Sequence, residues 1–583
     1  MAVIIPSRVE ILDVLRHHKA SDHKALVAHF SLTRPMEQEA LRRRLQAMMR
    51  DGQIILARNG QYRCFHYTAD MAIAEVERQY SLPTFWSDTI HSAVRALPAQ
   101  LNQMDYQGRQ NLTRLPFVTI DGEDAKDFDD AVYCQKNAEN GWDLYVAIAD
   151  VSHYVRPQSE IDLEALRRGT SVYFPGYVIP MLPEKLSNDL CSLVPQQDRL
   201  AMVAQMTVSD QGQLDDVIFY PAVMHSHARL TYEQVNQFLQ DGASLHISES
   251  LTPHLQQLYA LYQVLLEARY QRGALEFDTT DSMVQLDESG QPIGVTLVHR
   301  NDAHRLIEEC MLLANQAAAQ FIETHEAQTL FRVHLPPDEQ AMANLRTYLN
   351  FCGIRMKGGP LPSAEQLTAV CRDIKGRPDE AIIQMMILRS MSQAIYTPDN
   401  AGHFGLNYQA YVQFTSPIRR YPDLIAHRVI RAILDKNDPA GCIYDGSILA
   451  ELGVETSRTE RQAEEASRTV IQKLKCALMH DKLGESYSGV VSGVVEFGLF
   501  VTLTDFLVDG LVPVAVLHDD FYEFDRVKHQ LIGKRTGQCY KQGDLLEVKI
   551  ARVDIAEGKM DFDIFSAHDR TVPLKRLRRR RRW

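Results

Sequence analysis

The stretch FVTIDGEDAKDFDDAV, residues 117–132, places six acidic side chains within ten residues, between two runs typical of strands. FVTI and AVYC are rich in β-branched and aromatic residues, so both are predicted to be buried strands joined by an acidic turn. Two carboxylates about 4 Å apart repel by roughly 1 kcal/mol in water and by about 4 kcal/mol near a protein surface. Lys126 is the only basic residue among these acids. The chain must therefore either leave this turn in solvent or hold a positive group there.

Three kinds of site are conceivable for an acidic turn at strand ends. An EF-hand is excluded, because its loop needs glycine at position 6 and the two possible starts place Lys126 or Val132 there. A solvated acidic loop, the usual fate of a run of charge, stays open. A magnesium site for phosphate chemistry also stays open, since Mg²⁺ prefers carboxylate oxygens and two ions about 4 Å apart can activate water. The ligands of such a site are predicted to be Asp121, Asp127, Asp129 and Asp130.

A second stretch, HFGLNYQAYVQFTSPIRRYPDL at residues 403–424, offers arginines to such a site. Arg419 and Arg420 lie close to Pro417, and a guanidinium can donate two parallel hydrogen bonds to a transferring phosphoryl group. A surface phosphate contact or a structural ion pair is the alternative for such an arginine pair. P-loop, zincin and α/β-hydrolase chemistries are disfavoured, because the chain contains no GxxxxGK[ST], HExxH or GxSxG motif.

At 583 residues the chain is too long for one core, and changes of pattern divide it into several parts. Three helical runs followed by the hairpin signal Asn59-Gly60 predict a winged helix at the N-terminus. Five short strands within about 80 residues predict an OB-type barrel near the C-terminus. The fold class is thus a multidomain α/β protein. Its predicted parts are a winged helix (1–64), a helical linker (65–116), a large mixed α/β domain (117–484), an OB-fold β-barrel (485–567) and a basic tail (568–583).

Two details of this division depend on local patterns. The third helix of the winged helix carries a cluster of arginines, which suits contact with phosphates or, equally, with a protein. In the large domain EAIIQMMILRSMSQAIY, residues 380–396, is predicted to be helical throughout. The arginines of the third helix are Arg42, Arg43, Arg44 and Arg50.

The barrel and the tail both carry residues typical of RNA contact. Phe497 and Phe500 could stack on single-stranded bases if exposed, or could fill the barrel. Residues three apart in a strand point to opposite faces, so one of the two is expected on the surface. The tail LKRLRRRRRW carries seven basic residues in ten and predicts sequence-independent contact with phosphate backbones. A solubilising or cloning-derived tail is the alternative.

Composition bears on nucleic-acid binding, on cysteine-based sites and on the location of the protein in the cell. The net charge of −13 does not by itself suggest a nucleic-acid binder, so the local basic clusters carry that prediction. Nine cysteines occur singly and none forms a CxxC, which argues against a zinc ribbon or a disulfide framework. No apolar run of 18 residues and no signal-peptide pattern is found, so we expect no membrane contact and a cytoplasmic location.

Five longer motifs occur in a fixed order and carry a resemblance to a known family. They are TIDGEDAKDFDDAV, VAIADVSHYV, SVYFPGYVIPMLPEKLSNDLCSL, AHRLIEECMLLAN and HFGLNYQAYVQFTSPIRRYPDL. Together they closely resemble the catalytic RNB domain of the ribonuclease II family, over residues 115–483. The winged helix, the S-one-type OB fold and the basic tail around them are similar to the ribonuclease R branch of that family.

The resemblance implies a processive 3′-to-5′ exoribonuclease that needs Mg²⁺ and hydrolyses single-stranded RNA to 5′-nucleoside monophosphates, in RNA turnover and quality control. It implies that the four aspartates named above bind the metal, with Asp129 indispensable, and that Arg419 contacts the scissile phosphate. Tyr173 matches a tyrosine that packs on the 3′-terminal bases. A monomer is expected, with the ribosome or structured RNA as a further partner of the basic tail. The expected RNA contacts are Tyr173, Arg420, Phe497 and Phe500.

One departure from the family pattern is large. Two cold-shock OB domains usually lie between the winged helix and the catalytic domain, and residues 65–116 are too few for two five-stranded barrels. The chemistry is expected to survive, whereas RNA capture, processivity and duplex handling are expected to change. A non-enzymatic RNA-binding regulator with a silent core is a rival function, which the presence of all four aspartates and Arg419 disfavours. A metal-dependent endonuclease is a second rival, which product length would distinguish.

Overall fold

Two separate units make up the computed structural model, and each is built from several stretches of the chain. The first unit comprises Met1–Val76, Asp281–Leu297 and Arg468–Trp583, and the second comprises Glu77–Thr280 and Val298–Ser467. No helix among the described residues is both long and apolar enough to cross a membrane. The structure describes residues 5–17, 22–57, 59–241, 249–277, 281–435, 444–517, 520–526 and 528–564.

The N-terminal segment forms three helices and a β-hairpin, as predicted for a winged helix. Leu12, Leu41 and Leu45 are fully buried in its core. Asp22 caps the second helix by accepting a hydrogen bond from the Ala25 amide. The elements are α1 (Arg8–His17), α2 (His23–His29), α3 (Pro35–Arg50), β1 (Ile54–Leu56) and β2 (Tyr62–Cys64).

The arginines of α3 divide by exposure. Arg42, Arg43 and Arg50 are exposed, whereas Arg44 is half-buried and donates to the Pro6 carbonyl oxygen at 2.5 Å. Whether the exposed arginines contact phosphates or a protein stays a prediction.

The predicted linker is helical. Ser87 begins its second helix by accepting a hydrogen bond from the Ile90 amide. A short 3₁₀ helix, Gln103–Tyr106, precedes the first strand of the large domain. The elements of this segment are α4 (Ala69–Gln79), α5 (Asp88–Ala96) and β3 (Gln110–Asn111).

A six-stranded sheet forms the centre of the second unit. Its strand order is β3-β10-β4-β5-β6-β9, and β10 also pairs with β9, so the sheet curls back on itself. β4 runs antiparallel to β5 and parallel to β10, which brings the end of β4, the start of β5 and the end of β10 to one edge. The elements are β4 (Phe117–Asp121), β5 (Asp130–Lys136), β6 (Trp142–Ala149), α6 (Val151–Tyr154), α7 (Glu160–Arg168), β7 (Val172–Phe174), β8 (Tyr177–Ile179), β9 (Asp198–Val208) and β10 (Leu214–Thr231).

Helices complete the second unit and form its core with the sheet. Leu313, Ala314 and Ala317 of one long helix are buried in the same apolar cluster as Val146 and Ala204 of the sheet. The remaining elements of this unit are α8 (Tyr232–Asp241), α9 (Thr252–Arg272), α10 (Asp302–Thr324), β13 (Phe331–Val333), α11 (Glu339–Phe351), α12 (Ala364–Asp373), α13 (Glu380–Ser390), β14 (Ile395–Thr397) and α14 (Tyr421–Leu434). The hairpin β11 (Asp281–Leu286) and β12 (Pro292–Val298) falls almost wholly in the first unit, and α15 (Gly446–His480) runs from the second unit into the first.

The prediction of one helix over residues 380–396 was wrong beyond Ser390. α13 ends at Ser390, because Met391 takes an extended conformation. Ile395–Thr397 instead forms β14, antiparallel to β13. Two β-branched residues and a tyrosine favour a strand once a partner edge is available, and only the folded chain supplies that edge.

A closed five-stranded barrel near the C-terminus confirms the predicted OB-type fold. Its order is β15-β16-β17-β22-β21, and β18, β19 and β20 form a separate three-stranded sheet. Leu499, Val501 and Phe562 fill the barrel. The predicted basic tail, residues 568–583, lies outside the described residues. The strands are β15 (Ser486–Val495), β16 (Gly498–Leu503), β17 (Val508–Pro513), β18 (Tyr522–Asp525), β19 (Gln530–Gly533), β20 (Cys539–Lys541), β21 (Leu545–Asp554) and β22 (Lys559–Ile564).

Both candidate stacking residues of the barrel are on its surface. Phe497 is 58% exposed and Phe500 38% exposed, with ring centroids 6.2 Å apart. Phe497 precedes Gly498, the first residue of β16, so it belongs to the turn and escapes the alternation that would turn it away from Phe500. The multidomain α/β architecture is thus confirmed, and the five-part division of the chain stays a prediction.

Candidate active site

The acidic turn between β4 and β5 is held against the body of the second unit. Arg229, in β10, donates to the carbonyl oxygens of Gly122 and Glu123. The Ser192 hydroxyl accepts from the Phe128 amide at 3.0 Å and donates to the Lys126 carbonyl oxygen at 2.7 Å. The turn is therefore anchored at both ends, which distinguishes it from a freely solvated acidic loop.

Asp129 is the buried member of the acidic turn, with 5% of its surface exposed. Its Oδ1 accepts a hydrogen bond from the Ile418 amide at 2.9 Å. Its Oδ2 is also buried, but it accepts no hydrogen bond from any described residue. The nearest cation is Arg419, whose Nε lies 3.8 Å from Oδ2. One oxygen of Asp129 is thus fixed by backbone and the other lacks a close donor.

The other three carboxylates lie in the acidic turn or at the strand ends that flank it. Asp121 ends β4 and accepts from the Gly122 amide at 2.7 Å, and Asp130 begins β5. Asp127 lies in the turn, and its Oδ2 accepts a hydrogen bond from the Tyr173 hydroxyl at 2.9 Å.

Burial is the main influence on the ionisation of these acids. It raises the pKa of Asp129 well above its usual range and the pKa of Asp130 to about 7, and the Arg419 guanidinium opposes both shifts. Burial also raises the pKa of Asp121, and the charge of Asp127 adds to that rise. The cluster therefore has less positive charge beside it than four ionised carboxylates require.

The arginine segment faces the acidic turn from the start of α14. The Arg419 side chain is 43% exposed, and its Nη2 donates to the Ser416 hydroxyl at 3.1 Å. Its carbonyl oxygen accepts from the Ser171 amide at 3.0 Å, which ties this segment to β7 and so to Tyr173. Arg420 turns the other way and forms two hydrogen bonds to Asp423, at 2.7 and 2.9 Å.

The structure therefore brings together most of the predicted site. The four aspartates lie in the turn at one edge of the sheet and beside it. Arg419 lies 3.8 Å from Asp129, and Tyr173, in the separate β7–β8 hairpin, donates to Asp127 and is 41% exposed. Phe497 and Phe500 belong to the first unit. Arg420 is only 18% exposed in its side chain, and its contact with RNA stays a prediction.

The donor chemistry of the acidic cluster fits Mg²⁺, although the ligand arrangement is not preformed. Among the described residues no three His, Cys, Asp or Glu side chains are close enough to hold an ion as they stand. The unpartnered Asp129 Oδ2 and the raised pKa values nevertheless indicate a need for positive charge. Carboxylate oxygens without nitrogen or sulfur donors are what Mg²⁺ prefers, and the four aspartates would have to draw together around it.

Sequence reasoning missed three residues that shape the site. Arg229 and Ser192 anchor the acidic turn, and Asp423 binds both Arg420 and the Ser416 amide. Asp423 lies inside the quoted stretch 403–424, where an acid three residues after an arginine at a helix start is a usable signal. Arg229 and Ser192 carry no local signal, because their partners are carbonyl and amide groups of a distant turn.

Comparisons with known proteins agree with the motifs. The RNB domain family matches residues 109–436, and the S1 RNA binding domain family matches residues 480–565. Ribonuclease R of Escherichia coli (strain K12) is 46% identical over 506 residues, which cover 85% of this chain and 62% of that protein. Ribonuclease R of Buchnera aphidicola subsp. Schizaphis graminum is 41% identical over 501 residues, covering 85% of this chain and 69% of that protein. This chain spans about three fifths of the length of the first of these relatives.

Solved structures show the same architecture. Mycoplasma genitalium RNase R in complex with ribose methylated single-stranded RNA matches with a TM-score of 0.81 at 29% identity, covering 85% of this chain and 78% of that one. Yeast Ssd1, a pseudonuclease, matches with a TM-score of 0.64 at 20% identity, covering 79% of this chain and 58% of that one. Since a pseudonuclease shares the fold, catalysis has to be argued from the site residues.

Proposed function

Because the chain belongs to the RNB-domain family of ribonuclease R, we propose that it hydrolyses single-stranded RNA processively from the 3′ end. The products are 5′-nucleoside monophosphates, Mg²⁺ is the cofactor, and the role is RNA turnover and quality control. One observation carries the proposal: Asp129, buried and with an unpartnered oxygen, faces Arg419 across 3.8 Å within a cluster of four carboxylates. A silent core would be expected to have lost part of this constellation.

The four carboxylates are the metal-binding part of the proposal. Asp121, Asp127, Asp129 and Asp130 would hold Mg²⁺, which when bound supplies positive charge beside the scissile phosphate and makes a nearby water more acidic. The chain contributes the placement of the carboxylates. The Ile418 amide orients Asp129 through Oδ1 at 2.9 Å, while the buried Oδ2 accepts no hydrogen bond from a described residue.

Arg419 is the candidate for stabilising charge on the phosphate. Its guanidinium is 43% exposed, so it can reach a substrate while its backbone is held by Ser171. A guanidinium donates two parallel hydrogen bonds to a phosphoryl group, and such groups stabilise the charge that develops in the transition state. Substitution of a single charge-stabilising donor of this kind costs about 10²–10³-fold in kcat.

Stacking would hold the strand without reading its sequence. The half-exposed Tyr173 ring lies beside the acidic cluster, where a 3′-terminal base would pack on it. Phe497 and Phe500 offer two more exposed rings on the barrel. Stacking on aromatic faces tolerates any base, so the proposed activity is independent of sequence.

A 5′-labelled single-stranded RNA tests the proposal directly, comparing the protein with its Asp129→Asn variant in Mg²⁺. We expect a ladder that shrinks from the 3′ end to a short limit product, and a loss of at least about 10²-fold in rate on substitution. Asp124→Asn is the matched control, because Asp124 lies in the same turn but is exposed. That variant is expected to degrade RNA like the unaltered protein.

The pattern of products also decides between the rival functions. RNA bound by both proteins but cleaved by neither would support the non-enzymatic regulator. With an internally labelled RNA, release of oligonucleotides before any 5′-nucleoside monophosphates would instead support a metal-dependent endonuclease. Equal cleavage by the protein and its Asp129→Asn variant would place the chemistry elsewhere in the chain.

A further inference from the structure

Asp423, in the first turn of α14, is a fully buried carboxylate that lies outside the acidic turn. Its Oδ1 accepts from the Ser416 amide at 2.8 Å and from Arg420 Nη2 at 2.7 Å, and its Oδ2 accepts from Arg420 Nε at 2.9 Å. Burying a charged side chain costs free energy unless that side chain is paired and hydrogen-bonded. The fold therefore retains a buried ion pair between Asp423 and Arg420, the residue that follows Arg419.

The charge of Asp423 stabilises the charged form of Arg420. Burial lowers the pKa of Arg420, but Asp423 together with Tyr396 and Tyr411 more than offsets burial, so that pKa is raised overall. Arg420 is thus held charged against Asp423 by two parallel hydrogen bonds, the geometry in which a guanidinium and a carboxylate bind most specifically. An arginine that is paired in this way can hold the nearby backbone in one conformation.

The backbone that the pair fixes is the segment 416–420. Asp423 holds the Ser416 amide, and the Ser416 carbonyl oxygen in turn accepts from the amides of Arg419 and Arg420, at 3.3 and 3.0 Å. Within this tight turn the Ile418 amide points at Asp129 Oδ1, and the Ser416 hydroxyl accepts from Arg419 Nη2. Both groups that face the acidic cluster thus depend on one turn.

We propose that Asp423 and Arg420 form a positioning pair, which holds the turn 416–420 so that the Arg419 guanidinium and the Asp129 carboxylate keep their relative positions. This inference rests on the proposed function and deepens it by assigning a role to two residues that do not touch the reacting atoms. Arg420 then acts through Arg419 and the Ile418 amide, as a partner of Asp423.

A second buried ion pair, between Asp162 of α7 and Arg428 of α14, supplies a matched control. Asp162 is 4% exposed, and its carboxylate accepts from Gln158, Tyr421 and Arg428. It resembles Asp423 in burial and in its arginine partner, but its three donors lie outside the turn 416–420. Loss of this pair should lower stability without moving Arg419.

The test compares Asp423→Asn with Asp162→Asn in single-turnover and steady-state RNA degradation. The amide keeps the shape of the side chain but loses its charge and turns an NH₂ group toward the donors of Arg420 or Ser416. We expect kcat to fall by about 10- to 100-fold with KM for RNA within about twofold, since misplacement of a catalytic group by 1 Å can cost about 10²-fold. Asp162→Asn should leave kcat within about twofold even where its melting temperature falls.

Combination with Arg419→Ala separates positioning from general destabilisation. If Asp423 acts through the turn that carries Arg419, adding Asp423→Asn to Arg419→Ala should lower kcat by much less than it does in the unaltered protein. The residual loss reports the part that acts through the Ile418 amide and Asp129. Equal and independent losses in both backgrounds, or equal losses from Asp423→Asn and Asp162→Asn, would overturn the inference.

Arg420→Gln covers the case in which Asp423→Asn does not fold. It removes the paired charge but leaves Asp423 able to accept from the Ser416 amide, so the expected loss of kcat is smaller, about 3- to 30-fold, again with KM unchanged. An Arg420→Gln enzyme with full kcat, or one whose KM rises while kcat holds, would refute the positioning role. Absence of cleavage by the unaltered protein would instead refute the proposed function, so the two failures give different results.

Discussion

Tyr173 offers two groups to the candidate site, a ring and a hydroxyl, and substitutions can separate them. The hydroxyl donates to Asp127 Oδ2 at 2.9 Å, while the ring is 41% exposed. Tyr173→Phe removes only the hydrogen bond to a carboxylate, a loss of about 1 kcal/mol. We expect the Mg²⁺ concentration for half-maximal RNA degradation to rise about fivefold with KM for RNA unchanged.

Tyr173→Leu is the companion variant, because it removes the ring as well. It should raise KM for RNA and lengthen the limit product, in addition to the effect on Mg²⁺. Metal titrations followed by RNA degradation would measure both variants. Identical Mg²⁺ dependence of Tyr173→Phe and the unaltered protein would show that the hydroxyl does not support Asp127.

The residues of the candidate site were easier to predict than the hydrogen bonds between them. The aspartates, Arg419 and Tyr173 stand in long motifs, so the resemblance to the ribonuclease II family assigns them to one site. The bond between Tyr173 and Asp127 joins residues 46 positions apart, and the one between Ile418 and Asp129 joins residues 289 positions apart. Such contacts follow from how strands and turns meet in space, and no local pattern encodes them.

Phe497 and Phe500 make the barrel a candidate RNA-binding element. Both rings are exposed and stand 6.2 Å apart, edge to face. Alanine at either position is expected to weaken RNA binding by about 1–3 kcal/mol, or about 5- to 150-fold in Kd, which fluorescence anisotropy would measure. Phe521→Ala is the control, because Phe521 is 84% exposed but precedes the separate sheet β18–β20.

An Asp129→Asn background keeps the RNA intact during these titrations. Equal affinities for the Phe497→Ala, Phe500→Ala and Phe521→Ala proteins would mean that this face of the barrel is not an RNA platform. A loss confined to Phe521→Ala would move the binding surface to the three-stranded sheet.

Elements with strong periodicity were predicted well, and those that depend on a partner were not. β4 and β5 were recognisable because two apolar runs flank a charged turn, and the barrel because glycines and alternation repeat. The helix predicted over 380–396 ends at Ser390, since Ile395–Thr397 pairs with β13. The turn position of Phe497 was likewise invisible, because alternation was assumed to run through Gly498.

The acidic cluster should make the free energy of unfolding of the whole protein depend on pH. Burial raises the pKa of Asp130 from 3.8 to about 7, and the pKa values of Asp121 and Asp129 shift in the same direction. Between the unfolded and folded pKa values the folded state binds more protons than the unfolded chain. The cluster therefore lowers the stability of the metal-free protein progressively as pH rises through that window.

Mg²⁺ binding should reverse this penalty, because metal ligands must be ionised. We expect Mg²⁺ to add little to the free energy of unfolding at about pH 5 and more at about pH 8, where the gain approaches about 2–3 kcal/mol at a hundredfold excess over Kd. The melting temperature should rise accordingly. Calorimetry with NaCl matched for ionic strength would measure it. An equal rise at both pH values, or one that survives Asp129→Asn together with Asp130→Asn, would contradict metal binding by the cluster.

The organisation of the chain bears on how RNA reaches the proposed site. Residues 65–116 contain α4, α5 and a 3₁₀ helix, so the described part of this segment forms no barrel. The cold-shock domains that the resemblance leads one to expect at this point are thus replaced by helices. The barrel formed by β15–β17, β21 and β22 is the remaining OB-type surface among the described residues.

The long separation between Asp129 and Ile418 has a consequence during protein synthesis. Their hydrogen bond joins residues 289 positions apart. Because a ribosome adds about 5–20 residues per second, Ile418 is synthesised about 15–60 s after Asp129. Until then the growing chain has neither the amide that orients Asp129 nor the guanidinium beside it. The nascent polypeptide therefore lies next to its own messenger RNA before the candidate site is complete.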